Sequence, residues 1–197
     1  MAADKGKALS TRERILEAAL DLFSENGFHA TTTRKIAQEA DVNEVTLFRH
    51  FSSKMDLFQE ILGIVRQVGF NTDWLKDHDL EPVEAIRFSI EVALNNAKDH
   101  PRIFRILMYA LLDRVEGFED QYVNEQLSTG HEFLIETFQK LKKLDKLRSD
   151  LEPQILAGLL MSQMIATMQF RSLIKEHPLK GLSIKEISES ITGLFIK

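Results

Sequence analysis

The stretch TTTRKIAQEADVNEVTLFRHFSSK, residues 31–54, contains two short apolar patterns that each fit about two turns of amphipathic helix. The first predicts a helix over about residues 33–40 and the second a helix over residues 44–50, with three residues between them. Two short helices joined by so tight a turn are typical of a helix-turn-helix, whose second helix enters the DNA major groove. The segment is therefore predicted to bind DNA.

The helix-turn-helix pattern separates inward-facing from outward-facing side chains. Its small core is predicted to contain Ile36, Ala37, Val42 and Leu47. The polar side chains of the second helix and its cap then face outward, namely Asn43, Glu44, Thr46, Arg49 and His50. This arrangement makes residues 44–50 the predicted recognition helix.

Helices are also predicted on both sides of this motif. Upstream, Ser10 and Glu13 form a capping-box pattern before an apolar face over about residues 11–26, after which a glycine stops the helix. Downstream, Ser53 and Asp56 form a second capping-box pattern at the start of a longer helix. The N-terminal segment is therefore predicted to be helical.

The composition indicates that the rest of the chain is helical as well. Thirteen phenylalanines accompany only four prolines and nine glycines, and apolar residues recur at intervals of three and four without a strand-like alternation. Prolines at positions 82, 101 and 153 suit the first residue of a helix. The predicted fold class is all-α, with C-terminal helices over residues 82–99, 101–114, 119–146, 153–176 and 183–195.

Composition also restricts the function and the compartment. The 197 residues, 44% of them hydrophobic, suffice for a buried core, and the absence of cysteine excludes disulfides and thiolate metal ligands. The start, MAADKGKALSTRER, lacks the apolar segment of a secretory signal, and no stretch is apolar enough to span a bilayer. A cytoplasmic protein with no membrane attachment is expected. The net charge, 25 − 30 = −5, means that any DNA-binding surface must be local.

Residues 11–57 resemble the N-terminal domain of the TetR (tetracycline-repressor-like) transcriptional regulators. Three segments carry the resemblance: RILEAALDLFSENGF at residues 14–28, TTTRKIAQEADV at residues 31–42 and NEVTLFRHFSSKMDLF at residues 43–58. It implies a helix-turn-helix DNA-binding domain over residues 9–69, with the start of a connecting helix, and a helical effector-binding and dimerisation domain over residues 70–197. It also implies a homodimer that binds double-stranded operator DNA and a small-molecule effector.

The sequence departs from the family pattern at the turn and in the recognition helix. Members commonly have Gly at the second position of the turn, Ser-x-Gly at the start of the recognition helix, and Tyr at the position of Phe48. Asp41 tolerates a left-handed backbone better than most non-glycine residues, so the turn is expected to survive. Phe48 cannot donate a hydrogen bond to phosphate, which leaves it apolar contact only.

Several outward-facing residues have a structural interpretation beside the DNA-binding one. Asn43 can cap the recognition helix and Glu44 can favour its positive end, with or without reading a base edge. His50 suits either a packed core position or, as the resemblance implies, a contact with the DNA backbone. Four basic and three acidic residues in the stretch 31–54 give a local charge of 4 − 3 = +1, which is also compatible with an ordinary solvated face.

The predicted helix ends offer a more specific route to the phosphates. Thr33 and Arg34 begin one helix and Lys54 begins another, so backbone N–H groups and cationic side chains are available together. The predicted DNA-binding residues are Thr33, Arg34, Asn43, Glu44, Val45, Thr46, Phe48, Arg49, His50 and Lys54.

The apolar faces of the C-terminal helices are expected to converge, either as plain core or as the lining of a pocket for an apolar or amphipathic effector. The predicted pocket residues are Phe88, Phe104, Leu107, Met108, Leu111, Phe133, Met164 and Met168. The basic run KLKKLDKLR, residues 140–148, suits a solvated helix C-terminus, and it is also compatible with an anionic ligand or partner.

The segment ILAGLLMSQMIATMQF, residues 155–170, is apolar nearly all round and must be covered on more than one side. Gln163 and Gln169 argue against a membrane span, so we expect a second copy of the chain to cover it. Small residues at intervals of four would let two such helices approach closely. The predicted dimer interface contains Gly158, Ser162, Ile165, Ala166, Gln169, Ile187 and Ile191.

Together these patterns predict a transcriptional regulator, a homodimeric repressor that a small effector releases from a palindromic operator. The first alternative is a helical small-molecule-binding protein or enzyme that does not use its N-terminal domain on DNA. The sequence holds no HExxH motif or glycine-rich phosphate loop, and His100, His131 and His177 are isolated, so we predict no enzymatic activity, cofactor or metal site. The second alternative, a structural helical adaptor, predicts no salt-dependent DNA binding.

Overall fold

The computed structural model describes residues 9–68, 80–118, 127–174 and 176–197, and its regular elements in these ranges are α-helices. The first four are α1 (Thr11–Ala30), α2 (Thr33–Glu39), α3 (Glu44–His50) and α4 (Lys54–Val68). The others are α5 (Pro82–Asp99), α6 (Pro101–Leu112), α7 (Ser128–Lys143), α8 (Pro153–Leu173) and α9 (Ile184–Phe195). The predicted all-α fold class is confirmed. None of the helices in the described ranges is long and apolar enough to cross a membrane.

The helix boundaries agree with the sequence pattern to within a few residues. Helix α5 covers the predicted residues 82–99. Helix α6 stops two residues early, shortly before Arg114, which has a left-handed φ of 49°. Helix α7 lies inside the predicted range 119–146, of which residues 119–126 lie outside the described residues. Helix α8 ends at Leu173 because the next residue has an extended backbone.

The described chain divides into two compact units. The N-terminal unit combines Met1–Gln67 with Arg102–Glu116, and the C-terminal unit combines Val68–Pro101 with Gly117–Lys197. A single boundary after residue 69, as the resemblance implies, would place all of α6 in the second domain. The structure instead groups nearly all of α6 with the first unit, because its side chains bond to α1.

The N-terminal unit is built on α1, against which α2 and α3 pack. The predicted capping box at its start is formed: the Ser10 hydroxyl accepts from the Glu13 N–H, and the Glu13 carboxylate accepts from the Ser10 N–H. Three rings meet in the core, from Phe23, Phe28 and Phe58, with pairwise centroid distances between 4.9 and 5.8 Å. Tilted and edge-to-face pairs of this kind stabilise a core beyond the area that they bury.

The second predicted capping box, at the start of α4, is only half formed. The Ser53 hydroxyl accepts from the Asp56 N–H at 3.0 Å, as expected. The Asp56 carboxylate, however, accepts from the backbone N–H and the hydroxyl of Ser52, at 2.8 and 3.2 Å, instead of from the Ser53 N–H. The carboxylate therefore fixes the residue that precedes the cap.

Near its end, α1 contains one residue whose backbone is not helical. Gly27 has φ 76° and ψ 175°, a combination that is essentially restricted to glycine. A Cβ atom at this position would lie 2.8 Å from Oδ2 of Asp113 and 3.4 Å from the Tyr109 ring. The predicted stop at Gly27 is thus a bend, which lets the end of α6 approach before α1 finishes at Ala30.

Polar contacts also fasten α6 to α1 within the N-terminal unit. The Arg102 guanidinium donates to the carboxylates of Glu17 and Asp21 at 2.6 and 2.7 Å. The hydrogen bond to Asp21, together with that to Glu17, raises the pKa of Arg102 above its ordinary value although burial acts in the opposite direction. At the other end of the contact, Nε2 of His29 lies 3.2 Å from the carbonyl oxygen of Asp113.

In the C-terminal unit, helices α5, α7, α8 and α9 pack around one apolar cluster. Its most buried members include Ile86, Ile90, Phe138 and Leu160. Most buried hydroxyls in this unit donate to a carbonyl one turn earlier. The single O–H of Ser188 has two acceptors within reach, the Glu91 carboxylate of α5 at 2.8 Å and the Lys185 carbonyl at 2.9 Å. These bonds leave the buried hydroxyls satisfied, as a close-packed interior requires.

The basic run at residues 140–148 lies at the end of α7 and in the turn after it. Lys142 pairs with Glu152 at 3.0 Å, and Lys197 pairs with Asp145 at 2.7 Å. Nε of Arg148 donates to the Ile196 carbonyl at 2.7 Å. Helix-end and ion-pair contacts therefore account for part of this run without any partner.

We expect Gly27→Ala to lower the free energy of unfolding by about 1–3 kcal/mol, because alanine must adopt a backbone conformation reserved for glycine. Gly63→Ala is the matched control, since a Cβ atom at Gly63 in α4 would meet nothing within 4 Å. In that helix the same change should be neutral or stabilising by up to about 1 kcal/mol. Urea denaturation of both variants measures the difference, and equal effects would contradict the strain at Gly27.

Candidate nucleic-acid interface

Helices α2 and α3 form the predicted helix-turn-helix pair on a small apolar core. Ile36, Ala37 and Leu47 are buried, and Val42 in the turn is half-buried. Asp41 has a left-handed φ of 53°, so the turn survives without the usual glycine, as the sequence predicted. The Val42 N–H donates to the Ala37 carbonyl at 2.9 Å, which closes the turn against α2.

The outer face of α3 is exposed. The side chains of Val45 and Phe48 are 72% and 48% exposed. Both are large and apolar, and two such side chains beside each other on one helix face are more often buried. Arg49 and His50 are exposed as well, which excludes the alternative of a packed core position for His50. Leu47 anchors one side of α3 in the core, and the opposite side is exposed to solvent. That exposed side is available to a partner.

Asn43 and Glu44 both have structural partners at the start of α3. The Asn43 side-chain oxygen accepts from the Thr46 N–H at 2.7 Å, so Asn43 is the N-cap, and its amide N–H groups and the second lone pair of its oxygen remain for a base. Oε1 of Glu44 accepts from the Thr33 hydroxyl at 2.9 Å, and this bond joins α3 to α2. The predicted cap at Asn43 is therefore formed, and Glu44 lies in the first turn of α3 as expected and has an additional bond to α2 that was not predicted. Base reading by their remaining atoms stays a prediction.

Lys54 has a role that its position in the sequence did not reveal. Its ammonium donates to the carbonyl oxygens of Phe28 and Thr31, both at 2.8 Å, and lies 4.3 Å from the centroid of the Phe28 ring. Desolvation at this half-buried site lowers the pKa of Lys54 below its ordinary value. Two of its three N–H donors thus bind the end of α1, and phosphate binding through the third stays a prediction.

Charges around the helix-turn-helix are arranged so that the cations remain available. Within the described ranges, no carboxylate pairs with Arg34, Lys35 or Arg49, all of which are exposed. Two of the three acidic groups in this segment have other partners, since Asp41 lies 3.9 Å from Arg14 and Glu44 accepts from Thr33, while Glu39 is exposed on α2. The small net charge of the segment therefore understates its capacity to bind phosphate.

An open groove runs along α2 and α3 and reveals one residue that sequence reasoning missed. Gln38 lines this groove together with Arg34, Asn43 and Glu44. Gln38 follows Arg34 by one helical turn, and that spacing would have placed both on the same face of α2. The amide of Gln38 can both donate and accept hydrogen bonds, so it belongs among the candidate contacts.

The predicted effector-pocket residues are split between the two units. Phe104, Leu107, Met108 and Leu111 lie on α6 in the N-terminal unit, where the first two are buried. The other four belong to the apolar cluster of the C-terminal unit or pack against it: Phe88, Phe133, Met164 and Met168. Only Met168 among the eight lines the C-terminal cavity described below, so the predicted lining stays a prediction.

The predicted dimer residues also divide into two groups. Gly158, Ser162, Ile165, Ala166 and Gln169 on α8 are exposed or half-buried, so a second copy can reach them. Ile187 and Ile191 on α9 are 2% and 5% exposed, because they point into the apolar cluster of their own chain. Their assignment to an interface is corrected: the apolar residue that α9 leaves outside is Leu194, which is 66% exposed.

The arrangement on α2 and α3 corresponds to a known family of proteins. Residues 15–61 match the family model for bacterial regulatory proteins of the tetR family. The nucleoid occlusion factor SlmA of Vibrio vulnificus (strain YJ016) is 27% identical over 181 residues, which are 87% of this chain and 90% of that protein. The HTH-type transcriptional regulator RutR of Escherichia coli (strain K12) is 31% identical over 109 residues, which are 55% of this chain and 51% of that protein.

Solved structures agree on the architecture. The ketosteroid transcriptional regulator KstR2 of Mycobacterium tuberculosis is 18% identical to this chain and has a TM-score of 0.70, with 98% of each chain covered. At this level of identity the likeness shows the fold, including its helical C-terminal part. The similar proteins named here are regulatory factors and not enzymes.

We expect Lys54→Ala to have two separable effects. Loss of the bonds to the Phe28 and Thr31 carbonyls should lower the free energy of unfolding by about 1–3 kcal/mol. If the third N–H also binds phosphate, the slope of log K for DNA binding against log salt should fall by about one unit. Denaturation and salt titrations measure the two effects, with Lys143→Ala on the exposed end of α7 as control. A loss of stability with an unchanged slope would make Lys54 a purely structural residue.

We expect Glu44→Gln to change the preferred base at one symmetric pair of operator positions. A carboxylate that faces DNA accepts from cytosine N4, whereas an amide pairs with adenine, and discrimination should shift by about 1–3 kcal/mol. The amide oxygen can still accept from Thr33, so the link between the helices is kept. Thr33→Val is the control, because it removes that link and leaves the carboxylate in place.

Sites selected from random duplex DNA at one salt concentration decide the matter. A changed profile for Glu44→Gln alone supports base reading by Glu44. Profiles that match the wild type for both variants would assign base reading to Asn43, Thr46 and Arg49 instead.

Proposed function

Because the chain belongs to the tetR family of bacterial regulatory proteins, we propose that it is a homodimeric repressor that a small molecule releases from a palindromic operator. The observation that carries the proposal is the exposed face of α3. Val45, Phe48 and Arg49 are exposed to solvent, whereas Leu47 on the opposite side of the helix is buried. A rigid helix that presents such a face is suited to the major groove.

Dimerisation is supported by the surface of α8. Exposed apolar side chains recur along one side of this helix, at Ile155, Leu159, Phe170 and Leu173. Smaller residues between them, Ser162 among them, leave room for close approach of a second helix. A contiguous exposed apolar surface of this kind marks an interaction site, and a second copy of the chain presents the complementary surface.

Release by an effector requires two states of the dimer. One state places the two recognition helices about 34 Å apart, so that they fit successive major grooves. In the other state the separation of the recognition helices does not match successive major grooves. An effector that binds this second state more tightly shifts the population of dimers away from DNA. A shift from mostly bound to mostly free needs an affinity difference of about 10⁴-fold between the two states.

The similarity to SlmA supports a second candidate, a DNA-binding nucleoid occlusion factor, because it extends over 87% of this chain. Both candidates require binding of specific DNA. They differ in where the natural sites lie, since only a repressor needs sites that overlap the promoters of the genes it controls. Mapping the bound sites in the genome that encodes the protein, with transcript levels of the neighbouring genes in its presence and absence, distinguishes them.

Selection from random duplex DNA followed by gel retardation tests the proposal. We expect a palindromic site, bound with an affinity that falls steeply with salt although the protein is acidic, because bound phosphates release counterions. Arg49→Ala should weaken binding to this site, and Lys143→Ala should not. Enrichment of no sequence, or binding that is indifferent to salt, would contradict the proposed function.

Ser162→Arg should convert the dimer to monomers and reduce operator affinity, because it places an unpaired charge in the exposed apolar surface of α8. Gln139→Arg is the matched control, since Gln139 is exposed on α7 and the change adds the same charge. Sedimentation at micromolar concentration measures the oligomeric state. A wild-type monomer, or a Ser162→Arg dimer, would contradict the assignment of the interface.

A further inference from the structure

A cavity of about 230 Å³ lies inside the C-terminal unit, where the last turns of α5 and α8 come together. Leu94 and Met168 provide apolar lining, one from each helix. Its volume corresponds to about eight molecules of liquid water, which suits a small metabolite and is too little for a drug-sized ligand. None of the DNA-binding residues lines it, so it is a site separate from the helix-turn-helix.

The polar part of the cavity is basic. Lys98, Arg171 and His177 line it, and its lining contains no Asp or Glu. In the part of the chain that the structure describes, Lys98 forms no ion pair, and the guanidinium of Arg171 donates a long hydrogen bond of 3.3 Å to the Leu182 carbonyl. Two cationic residues in the lining of one cavity, with no carboxylate in that lining, favour an anion.

His177 adds a second sign of an incomplete site. Its Nδ1 is shielded from solvent and has no hydrogen-bond partner among the described residues. A buried nitrogen without a partner costs free energy, which a ligand or a water that reached it would recover. Since His177 also lines the cavity, the side chain with the unpaired nitrogen belongs to the same lining as the two cationic residues.

A simpler explanation accounts for part of this arrangement. Lys98 and Arg171 are in the last turns of α5 and α8, where cations balance the partial negative charge of free carbonyl groups. That explanation requires neither a cavity between the two helices nor apolar residues in its lining beside the charges. It also predicts that the cations affect stability and not ligand binding, which makes it testable.

From these features we infer that the cavity binds a small amphipathic carboxylate, with the carboxylate on Lys98 and Arg171 and the hydrocarbon part on Leu94 and Met168. This inference rests on the proposed function, because it names the chemical class of the effector that releases the repressor. Bidentate geometry makes arginine well suited to a carboxylate, and lysine adds a point charge. Alcohols and amines of the same length lack the required charge.

The test uses the full-length protein with ¹³C-methyl methionine, hexanoate as the probe and 1-hexanol as its uncharged match. The methyl resonance of Met168, assigned with Met168→Leu, reports binding inside the cavity. We expect hexanoate to shift this resonance saturably and to bind at least about tenfold more tightly than hexanol, as a charge-assisted contact implies. Lys98→Gln and Arg171→Gln should each weaken hexanoate by about tenfold or more, and Lys143→Gln should not.

Gel retardation of the selected DNA by the same samples separates the two proposals. If hexanoate weakens DNA binding and also shifts the Met168 resonance, the results support both the carboxylate site and the proposed repressor function. Equal affinity for hexanoate and hexanol, or variants that bind hexanoate as the wild type does, would overturn the carboxylate site even if DNA binding is intact. Hexanoate binding at Met168 without any specific DNA binding would leave the site standing and refute the repressor. Arg171→Gln also removes the hydrogen bond to the Leu182 carbonyl and could therefore unfold the protein. Lys98→Gln removes no side-chain hydrogen bond within the described residues, so its affinity for hexanoate decides the test if Arg171→Gln is unstable.

Discussion

The end of α1 is the constraint on which the N-terminal unit depends. There the Phe28 ring contacts Phe23 and Phe58, and the Lys54 ammonium binds the Phe28 and Thr31 carbonyls. These carbonyls belong to the last turn of α1, which has no helical N–H left to pair with them. One lysine therefore satisfies the end of one helix at the start of another, and α2 and α3 lie between these two helices in the chain and pack against α1. The surface proposed to bind DNA therefore rests on the same helix that this half-buried contact fixes.

Local signals predicted most of the fold. The Ser10 capping box, the prolines that begin α5, α6 and α8, and the left-handed turn at Asp41 each depend on a residue with a narrow conformational preference. Non-local contacts could not be predicted in the same way. Arg102 binds Glu17 across 85 positions of sequence, and nothing near Arg102 indicates its partner. Periodicity likewise showed that Ile187 and Ile191 are buried, without showing that their own chain buries them.

The candidate site illustrates the same division. Exposure of the outer face of α3 followed from the helical period, because Leu47 had to point inward. The cap at Asn43 was one of two predicted interpretations. The partners of Glu44 and Lys54 did not follow from the sequence, since a polar side chain at a helix end can bond locally or to a ligand with similar geometry. An acidic protein that binds a polyanion must rely on the placement of a few cations. Here two of the three carboxylates in the segment are engaged by Arg14 and Thr33, and Arg34, Lys35 and Arg49 form no ion pair with any residue that the structure describes.

The grouping of α6 with α1 bears on how this architecture can be recombined. The N-terminal unit is discontinuous in sequence, because Arg102–Glu116 packs with residues that precede position 68. A chimera joined after residue 69 would take α1 from one parent and α6 from the other. It would keep the Arg102 contact only if both parents supplied compatible charges, and it would also need a glycine at the bend of α1. Exchange of operator specificity between such proteins is therefore better made by grafting α3 alone than by exchanging the apparent domain.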